Sequence, residues 1–342
     1  MGVDLSDIVP KEPRLLKDFS GQTLAVDAYN TIYQFLSIIR QPDGLPLMDS
    51  KKRITSHLSG LFYRNINLME AGIKPVYVFD GKPHVLKRGT IDERIAIKEK
   101  AKVEYEAALA EGDLEKARSK AQQTSRLTGD MVEESKTLLG FLGIPCVQAP
   151  SDGEAQASYL VMKGQASAVA SQDFDSLLFG SPVFVRNLTL TGRRKLPRKQ
   201  IYVNIEPEML ELPKVLSTLE ITREQLVEMC ILMGTDFNDG IRGIGPKKAL
   251  KLIREHKELG KVIEAKSLTI ENWEEVRRIF LEPNVKDASF CAGMPDVGKV
   301  SDFLCGEHDF SKERVEAPLA RLGDILESKK NEKAQLRLDK WF

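Results

Sequence analysis

Three short apolar runs alternate with longer helical patterns in the first half of this chain. The runs are 23-TLAV-26, 75-PVYVF-79 and 167-SAVAS-171, and each ends at an acidic residue or just before one. Their length and their small and β-branched residues predict buried strands. Between the first two lies 54-ITSHLSGLFYRNINLMEAG-72, whose apolar residues recur at helical spacing. Strands that alternate with helices predict an α/β fold with a mostly parallel central sheet flanked by helices.

The composition excludes several classes of protein. The 342 residues are 42% hydrophobic, enough for a large core, and 50 basic side chains balance 50 acidic ones, so net charge indicates no nucleic-acid partner. The four cysteines lie far apart without paired spacing, which argues against a zinc knuckle or a disulfide framework. The chain has neither a signal-peptide pattern nor a stretch of about 18 apolar residues. We therefore expect a soluble, intracellular protein that does not enter a membrane.

Residues 87–127 are dense in Lys, Glu, Arg and Ala and contain few large apolar side chains. The pattern predicts helix that is barely tied to a core, broken at Gly112 and Asp113. From composition alone, a solvated helical hairpin explains this segment as well as a functional element does.

Seven acidic residues follow or precede the predicted strands and helices in a way that would gather them at one edge of the sheet. They are Asp27, Asp80, Asp152, Glu154, Asp173, Asp175 and Asp236. Any one of them is an ordinary turn or helix N-cap residue. As a set, the carboxyl ends of parallel strands would bring them together, with Asp173 and Asp175 facing the same way through strand alternation.

A cluster of carboxylates is unstable unless cations neutralise it. The donors are all oxygen, which suits Mg²⁺ or Mn²⁺ better than zinc. Two such ions about 4 Å apart can activate a water on one side of a phosphodiester and stabilise the leaving oxygen on the other. The chain has no nucleophile elbow and no phosphate-binding loop motif, so the acids predict metal-dependent phosphodiester hydrolysis.

The blocks 24-LAVDAYN-30, 77-YVFDGKP-83, 150-PSDGEAQA-157, 170-ASQDFDSLLFG-180 and 231-ILMGTDF-237 resemble the signature blocks of flap endonucleases, the structure-specific 5′ nucleases related to XPG, and their archaeal members in particular. The resemblance covers essentially the whole chain. It implies a PIN-like nuclease core that cleaves 5′ flaps in DNA, with associated 5′–3′ exonuclease activity, in Okazaki fragment maturation and repair. It also implies that the seven acids coordinate or support two Mg²⁺ ions, for which Mn²⁺ can substitute.

The resemblance divides the chain into six parts. These are a nuclease region (1–86), a helical arch (87–128), a second nuclease region (129–236), a helix-two-turn-helix DNA-binding element (237–260), a C-terminal helical part (261–328) and a flexible tail (329–342). At the base of the arch, Lys87 and Arg94 match cations that orient the scissile phosphate, and they are the candidate catalytic cations. The alternative is that Lys87 and Arg94 are two surface cations without a catalytic role.

Glycines open a helix in 240-GIRGIGPKKALKLI-253, where exposed N–H groups and the helix end suit a phosphate. A plain helix-hairpin-helix packing unit explains the pattern as well. In the family this element grips the duplex backbone through a bound K⁺. The candidate DNA-binding residues, including others that the resemblance implies, are Gly2, Tyr33, Arg40, Gly243, Gly245, Lys247 and Lys248. Tyr33 would stack on a base, although a tyrosine at helical spacing is more often part of a core.

The tail 335-QLRLDKWF-342 fits the pattern of a sliding-clamp (PCNA) binding motif, with Gln335, Leu338, Trp341 and Phe342 as anchors. An exposed Trp-Phe end is unfavourable unless a partner buries it, although the tail could also fold back on its own core. The chain departs from many relatives at 49-DSKKRI-54, where a basic run replaces an acidic stretch, so the resemblance leaves 3′-flap handling open. Because the sequence has no basic extension after the motif, we expect a monomeric archaeal-type enzyme in the cytoplasm, whereas a eukaryotic relative would be nuclear.

Two other functions remain possible at this stage. A catalytically inactive, clamp-bound scaffold would hold branched DNA, but it would have lost one or more core carboxylates. A related nuclease acting on nicks, bubbles or RNA would keep the acids and differ in the arch or the tail.

Overall fold

The structure, a computed structural model, describes residues 3–189, 192–195 and 202–338. Its strands are β1 (Glu12–Pro13), β2 (Thr23–Asp27), β3 (Lys74–Phe79), β4 (Cys146–Gln148), β5 (Ala168–Ala170), β6 (Val183–Arg186), β7 (Gly192–Lys195), β8 (Tyr202–Ile205) and β9 (Glu208–Glu211). The three strands that the apolar runs predicted are β2, β3 and β5.

Seven of these strands form one sheet in the order β1-β9-β6-β5-β2-β3-β4. The five strands from β6 to β4 run parallel, and β9 and β1 add an antiparallel edge beside β6. Strands β7 and β8 form a separate antiparallel pair. The predicted α/β fold with a mostly parallel sheet is confirmed.

The helices are α1 (Ala28–Ile38), α2 (Ser56–Glu70), α3 (Arg88–Ala110), α4 (Leu114–Ala121), α5 (Gly129–Phe141), α6 (Gly153–Met162), α7 (Asp175–Leu178), α8 (Leu212–Leu219), α9 (Arg223–Met233), α10 (Pro246–His256), α11 (Leu259–Lys266), α12 (Trp273–Leu281), α13 (Val297–Ser301) and α14 (Lys312–Leu338). Short 3-10 turns at Leu16–Phe19, Val85–Lys87 and Gln122–Thr124 and a π turn at Asp302–Glu307 connect them. Within the described part of the chain, no helix is both long and apolar enough to cross a membrane.

Helices cover both faces of the sheet, and the strands β2, β3, β5 and β6 alternate their side chains between two cores. In β3, Val76 and Val78 belong to the core that contains α6 and α9, whereas Tyr77 and Phe79 belong to the core that contains α1, α2 and α5. All four are at most 1% exposed. A parallel strand that is buried on both faces reads as a continuous apolar run, which explains why these strands were recognisable in the sequence.

The charged segment after β3 forms two helices that break where predicted. Gly112 adopts a φ of +74°, and the Asp113 side chain caps α4 by accepting from the Lys116 N–H at 2.9 Å. Ala117 and Ala121 on α4 are buried, and a Cβ added at Gly44 would meet the Ala121 Cβ at 3.0 Å. The second helix therefore packs against the loop after α1 through small side chains.

The C-terminal helix α14 continues through the polar stretch 327–335, into the segment that the resemblance assigned to a flexible tail (329–342). Lys, Glu, Gln and Ala are good helix formers, so a polar composition does not by itself end a helix. Val315, Leu319 and Leu322 bury the first half of α14 against the core on the α2 side of the sheet.

A carboxylate cluster as the candidate active site

Neighbouring strands deliver acids to one edge of the sheet. Asp27 is the last residue of β2, Asp80 directly follows β3, and Asp173 lies three residues after the end of β5. Because β2 lies between β3 and β5, these three acids meet where the parallel strands end. The other four are supplied by helix termini: Asp152, Glu154 and Asp175 at the starts of α6 and α7, and Asp236 after α9.

One expectation about this edge was wrong. Asp173 and Asp175 do not share a strand face, because β5 ends at Ala170 and Asp175 begins the short helix α7. A turn and a helical start bring the two carboxylates together instead of strand alternation.

Asp27 is 6% exposed and both of its carboxylate oxygens are hydrogen-bonded. Oδ1 caps α1 by accepting from the Asn30 N–H at 3.1 Å, and Oδ2 accepts from the Ser171 hydroxyl at 3.1 Å. The same hydroxyl accepts from the Asp173 N–H at 3.3 Å. These contacts tie the end of β2 to the loop that carries Asp173.

The backbone at the start of α6 lies close to the Asp80 side chain and holds it in place. Asp80 Oδ1 accepts from the Gly153 N–H at 2.6 Å, and a Cβ at Gly153 would also lie 2.6 Å from that oxygen. Glycine at 153 therefore allows the helix start to approach the carboxylate closely. Asp152 caps the same helix with Oδ1 and forms an ion pair with Lys87 through Oδ2.

The deeper acids have neutral hydrogen-bond donors. Ser176 donates to Glu154 Oε1 at 3.0 Å, the Val3 N–H donates to Asp175 Oδ1 at 3.2 Å, and Asn30 Nδ2 donates to Asp173 Oδ2 at 3.1 Å. A neutral donor orients a carboxylate without cancelling its charge.

The arch base reaches the cluster through α3. Arg94 pairs with Asp236 at 2.7 Å, and the Thr90 hydroxyl donates to the Asp236 carbonyl oxygen at 2.9 Å. Lys87 also lies 4.9 Å from the centre of the Phe237 ring. Lys87 and Arg94 are therefore beside the acids, as predicted, and their positive charges contact two of the seven carboxylates.

Burial and mutual repulsion raise the pKa values of the acids. Burial and the neighbouring Asp152 raise the pKa of Asp80 to about 6, and burial and Asp236 raise that of Asp175 to about 8. Burial is also the main cause that raises the pKa values of Asp27, Glu154 and Asp173, followed in each case by another acid of the set. All seven predicted acids influence one another and form one acidic cluster.

Lys87 responds in the opposite way. Burial alone would lower the pKa of Lys87, but Asp152 and Asp80 outweigh burial, and the net pKa is raised. The cluster thus stabilises positive charge. Among the described residues, no three His, Cys, Asp or Glu side chains are arranged to hold a metal ion, so the carboxylates are gathered but do not converge as ligands. The donor set itself, seven carboxylates without His or Cys, fits Mg²⁺ chemistry.

The candidate DNA contacts lie in different surroundings. Tyr33 is half-buried, with Lys98 of α3 lying 4.6 Å from its ring centre. Arg40 uses its guanidinium within the protein, donating to the carbonyl oxygens of Leu36 and Gly44 and to the Ser125 hydroxyl at 2.8–3.0 Å.

The glycine-rich turn precedes α10 as predicted. Gly243 has a φ of +82°, and Gly245 is the N-cap of α10 with Pro246 in the first turn. Gly243, Gly245, Lys247 and Lys248 are exposed. Beside them lies an open groove of about 620 Å³ lined by Lys247, Leu250, Lys251, Arg254 and Glu255. Sequence reasoning missed Lys251 and Arg254, although their spacing of four and seven residues from Lys247 marks one helix face.

Several predicted residues fall outside the described part of the chain or have no described side chain. Gly2, Trp341 and Phe342 lie outside the described residues. Gln335 and Leu338 belong to α14, and the structure describes their backbone but not their side chains.

The sequence of this chain matches known protein families and relatives. Residues 5–101 match the XPG N-terminal domain and residues 143–236 the XPG I-region. Proteins named flap endonuclease 1 from Staphylothermus marinus and Pyrococcus abyssi are both 51% identical to this chain over its whole length and over 100% and 98% of theirs.

Solved structures agree with these matches. The flap endonuclease-1 from Methanococcus jannaschii superposes with a TM-score of 0.76 at 41% identity, covering 96% of this chain and 100% of its own. The catalytic core of Rad2 in complex with DNA substrate has a TM-score of 0.67 at 26% identity and covers 91% of this chain and 96% of its own. With its acidic cluster at the carboxyl end of a parallel sheet and a charged helical pair at the mouth, this chain belongs to the flap endonuclease family of nucleases.

Proposed function

We propose that the acidic cluster holds two Mg²⁺ ions and that the chain hydrolyses a phosphodiester bond where a 5′ flap leaves a DNA duplex. The observation that carries the proposal is the gathering of seven acids at one edge of the sheet, where burial and repulsion raise the pKa values of Asp27, Asp80, Glu154, Asp173 and Asp175. The mutual repulsion of these carboxylates favours the binding of cations among them. The ions would supply an activated water and charge stabilisation on the leaving oxygen, and Mn²⁺ would substitute for Mg²⁺.

The protein's own residues have separate tasks in this proposal. Asp27, Asp80, Glu154 and Asp173 match positions that coordinate or support the metals in the family and would hold the ions, with Asp152, Asp175 and Asp236 completing the cluster. Lys87 and Arg94 would move from Asp152 and Asp236 onto the scissile phosphate, where their charge stabilises negative charge as it develops. The two ion pairs in the DNA-free protein then act as a resting arrangement that substrate replaces.

The charged helices α3 and α4 support a flap substrate. Helix α3 and the turn before it contact the acids through Lys87, Thr90 and Arg94, so a single strand passing α3 would meet the cluster. Tyr33 would stack on a base next to the site, with Lys98 giving way. The relatives named flap endonuclease and the Rad2 core bound to DNA substrate are consistent with this substrate class.

The turn at 243–245 and the basic face of α10 suit the duplex. Exposed N–H groups at a helix start, together with Lys247, Lys248, Lys251 and Arg254, fit a phosphate backbone and a K⁺ ion that bridges to it. Gly2 and Arg40 are further proposed contacts. For Arg40, DNA binding would require at least one of its internal hydrogen bonds to open.

A cleavage panel tests the activity. Labelled 5′-flap, nicked, bubble and single-stranded DNA are incubated with the protein in Mg²⁺ and in EDTA. We expect rapid cutting near the branch of the 5′ flap in Mg²⁺ and none in EDTA. A preference for bubbles or nicks would favour the related nuclease, and binding without cutting would favour the inactive scaffold.

The tail is proposed to bind a sliding clamp during replication and repair in the cytoplasm of an archaeal cell, with the enzyme acting as a monomer. Removal of residues 335–342 should abolish stimulation by the clamp and leave cutting without the clamp unchanged. Full stimulation of the truncated protein would contradict the motif assignment.

A further inference from the structure

Asn30 connects two carboxylates that come from different strands. Its backbone N–H donates to Asp27 Oδ1 at 3.1 Å, and its side-chain Nδ2 donates to Asp173 Oδ2, also at 3.1 Å. Asp27 ends β2, whereas Asp173 follows β5. One residue in the first turn of α1 therefore sets the relative placement of two members of the acidic cluster.

The contact continues away from the cluster through two more side chains. Gln34, one turn further along α1, donates from Nε2 to Asn30 Oδ1 at 3.0 Å. The Thr189 hydroxyl donates to Gln34 Oε1 at 3.1 Å. Thr189 is 5% exposed and lies three residues after β6, the strand next to β5, so the outer end of the chain is anchored close to the sheet.

The carboxylate dictates the direction of every hydrogen bond in this series. An ionised carboxylate only accepts, so Asn30 must present its NH₂ group to Asp173 and its oxygen to Gln34. Gln34 must then present its NH₂ group to Asn30 and its oxygen to the Thr189 hydroxyl. Each of the three side chains has one orientation that satisfies its neighbours, and together they hold the Asp173 carboxylate in a single position.

The partner of Asp173 is also neutral, unlike those of two other acids. Lys87 and Arg94 place positive charge on Asp152 and Asp236. An amide orients a carboxylate but leaves its full negative charge available to a cation. This series therefore has the properties of an outer layer around a metal ligand, where donors fix the ligand without competing for the ion.

We propose that Asn30, Gln34 and Thr189 form a positioning relay that holds Asp173 ready for a divalent cation and so sets the metal affinity of the acidic cluster. The proposal rests on the metal-dependent function proposed above. A purely structural relay, by contrast, would stabilise the start of α1 and leave metal affinity unchanged.

Metal binding to the full chain without DNA separates these two roles. Mn²⁺ affinity is measured by electron paramagnetic resonance, and thermal melting in EDTA is recorded in parallel. Asn30→Leu removes the donor to Asp173 and should weaken Mn²⁺ binding about tenfold, as loss of an outer-layer partner typically does. Gln34→Glu cannot donate to Asn30, so the Asn30 amide would turn its oxygen toward Asp173 and weaken Mn²⁺ binding at least as much.

Thr189 provides a matched pair at the far end of the relay. Thr189→Val removes the hydroxyl but keeps the shape, and should weaken Mn²⁺ binding a few-fold. Thr189→Ser keeps the hydroxyl and should restore the wild-type affinity. Thr137→Val removes a hydroxyl that donates to the Glu133 carbonyl oxygen within α5, and it controls for the substitution itself.

The outcomes separate the relay from the function on which it rests. Unchanged Mn²⁺ affinity in both Asn30→Leu and Thr189→Val would overturn the relay and leave the metal site intact. Wild-type protein that bound no Mn²⁺ would overturn the metal site itself. Weakened affinity in Thr189→Val, restored in Thr189→Ser at an unchanged melting temperature, would establish a positioning role that reaches Asp173 from two side chains away.

Discussion

Two buried groups of charged side chains in this protein handle charge in opposite ways. The first is the acidic cluster. The second, here called the paired cluster, joins the loop before α2 to α5 and to the turn before α14. It consists of Asp49, Arg53, His57, Glu134 and His308.

Acids in the paired cluster have partners close by. Arg53 Nε lies 2.7 Å from Asp49 Oδ2, and His57 Nε2 lies 3.0 Å from Glu134 Oε2. Burial would raise the pKa of Glu134, but the His57 hydrogen bond and the interactions with His57, His308 and Arg53 together outweigh it, and the pKa is lowered. The pKa of Asp49 is likewise lowered, because hydrogen bonds from Arg53 outweigh its burial.

In the acidic cluster, burial and repulsion act together and the pKa values rise. The difference separates a structural use of charge from a functional one. The acids that join segments of the fold have a partner each, whereas the acidic cluster keeps a surplus of negative charge, as the proposed cation binding requires. The paired cluster also explains part of the basic run at 51–53, since Arg53 pairs with Asp49 and donates to the Glu307 carbonyl oxygen.

The largest expected effect is on catalysis. Asp173→Ala should lower the single-turnover rate of 5′-flap cutting by about a hundredfold to a thousandfold, because it removes a proposed metal ligand. DNA affinity, measured in Ca²⁺ by fluorescence anisotropy, should stay close to the wild-type value. Asp130→Ala removes an exposed acid at the start of α5 and serves as the control. Magnesium-dependent cutting that survived Asp173→Ala would show that the surplus charge is not used for metal binding.

Lys87 tests whether the cation in the acidic cluster takes part in the reaction. Lys87→Ala should slow the single-turnover rate about a hundredfold and weaken DNA binding much less, because the charge would act on the scissile phosphate. Lys74→Ala is a matched control, since Lys74 is exposed at the opposite end of β3 from the cluster. Equal rates for Lys87→Ala and wild type would reduce Lys87 to a structural partner of Asp152.

Strands β2, β3 and β5 and the gathering of acids at their ends were predictable because a strand buried on both faces leaves a continuous apolar run. The break at Gly112 was predictable because glycine adopts a positive φ readily. Sequence reasoning failed where side-chain hydrogen bonds join distant segments. Asn30 and Arg40 donate to Asp173 and Ser125 inside the protein, and no local pattern indicates partners that lie 85–143 residues away. The helix over 327–335 was not predicted either, because a run of polar helix formers suits a flexible tail and a helix equally.

An acid-to-amide substitution should have opposite effects in the two clusters. In EDTA, Asp175→Asn should stabilise the protein by roughly 2 kcal/mol at pH 8. At about 1.4 kcal/mol per pKa unit, the interval from 3.8 to about 8 sets an upper bound of about 6 kcal/mol, and the linked titration of the neighbouring acids reduces it. The folded pKa of Asp175, about 8, exceeds the unfolded value near 3.8, so stability is lost as the pH rises through that interval. The gain from Asp175→Asn should therefore be small at pH 5 and largest above pH 8. Urea unfolding at both pH values measures it, and a loss of stability at pH 8 would contradict the surplus of charge.

The smallest effect is expected from the same change in the paired cluster. Glu134→Gln keeps an acceptor for His57 but removes the charge, and should destabilise the protein by about 1 kcal/mol at pH 7, a modest value because the carboxylate is partly exposed. Because the folded pKa of Glu134 lies below its ordinary value of 4.5, its contribution is present above that pH and is lost as the pH falls. The deficit of Glu134→Gln should therefore shrink as the pH falls below 4.5, the reverse of the trend for Asp175→Asn. Glu133→Gln, which changes the exposed neighbouring acid on α5, should shift urea unfolding much less. Removing the charge of Glu134 loses an attraction to its partner, whereas removing the charge of Asp175 relieves repulsion from neighbouring acids. If Glu134→Gln and Asp175→Asn changed stability in the same direction, the distinction between the paired cluster and the acidic cluster would therefore fail.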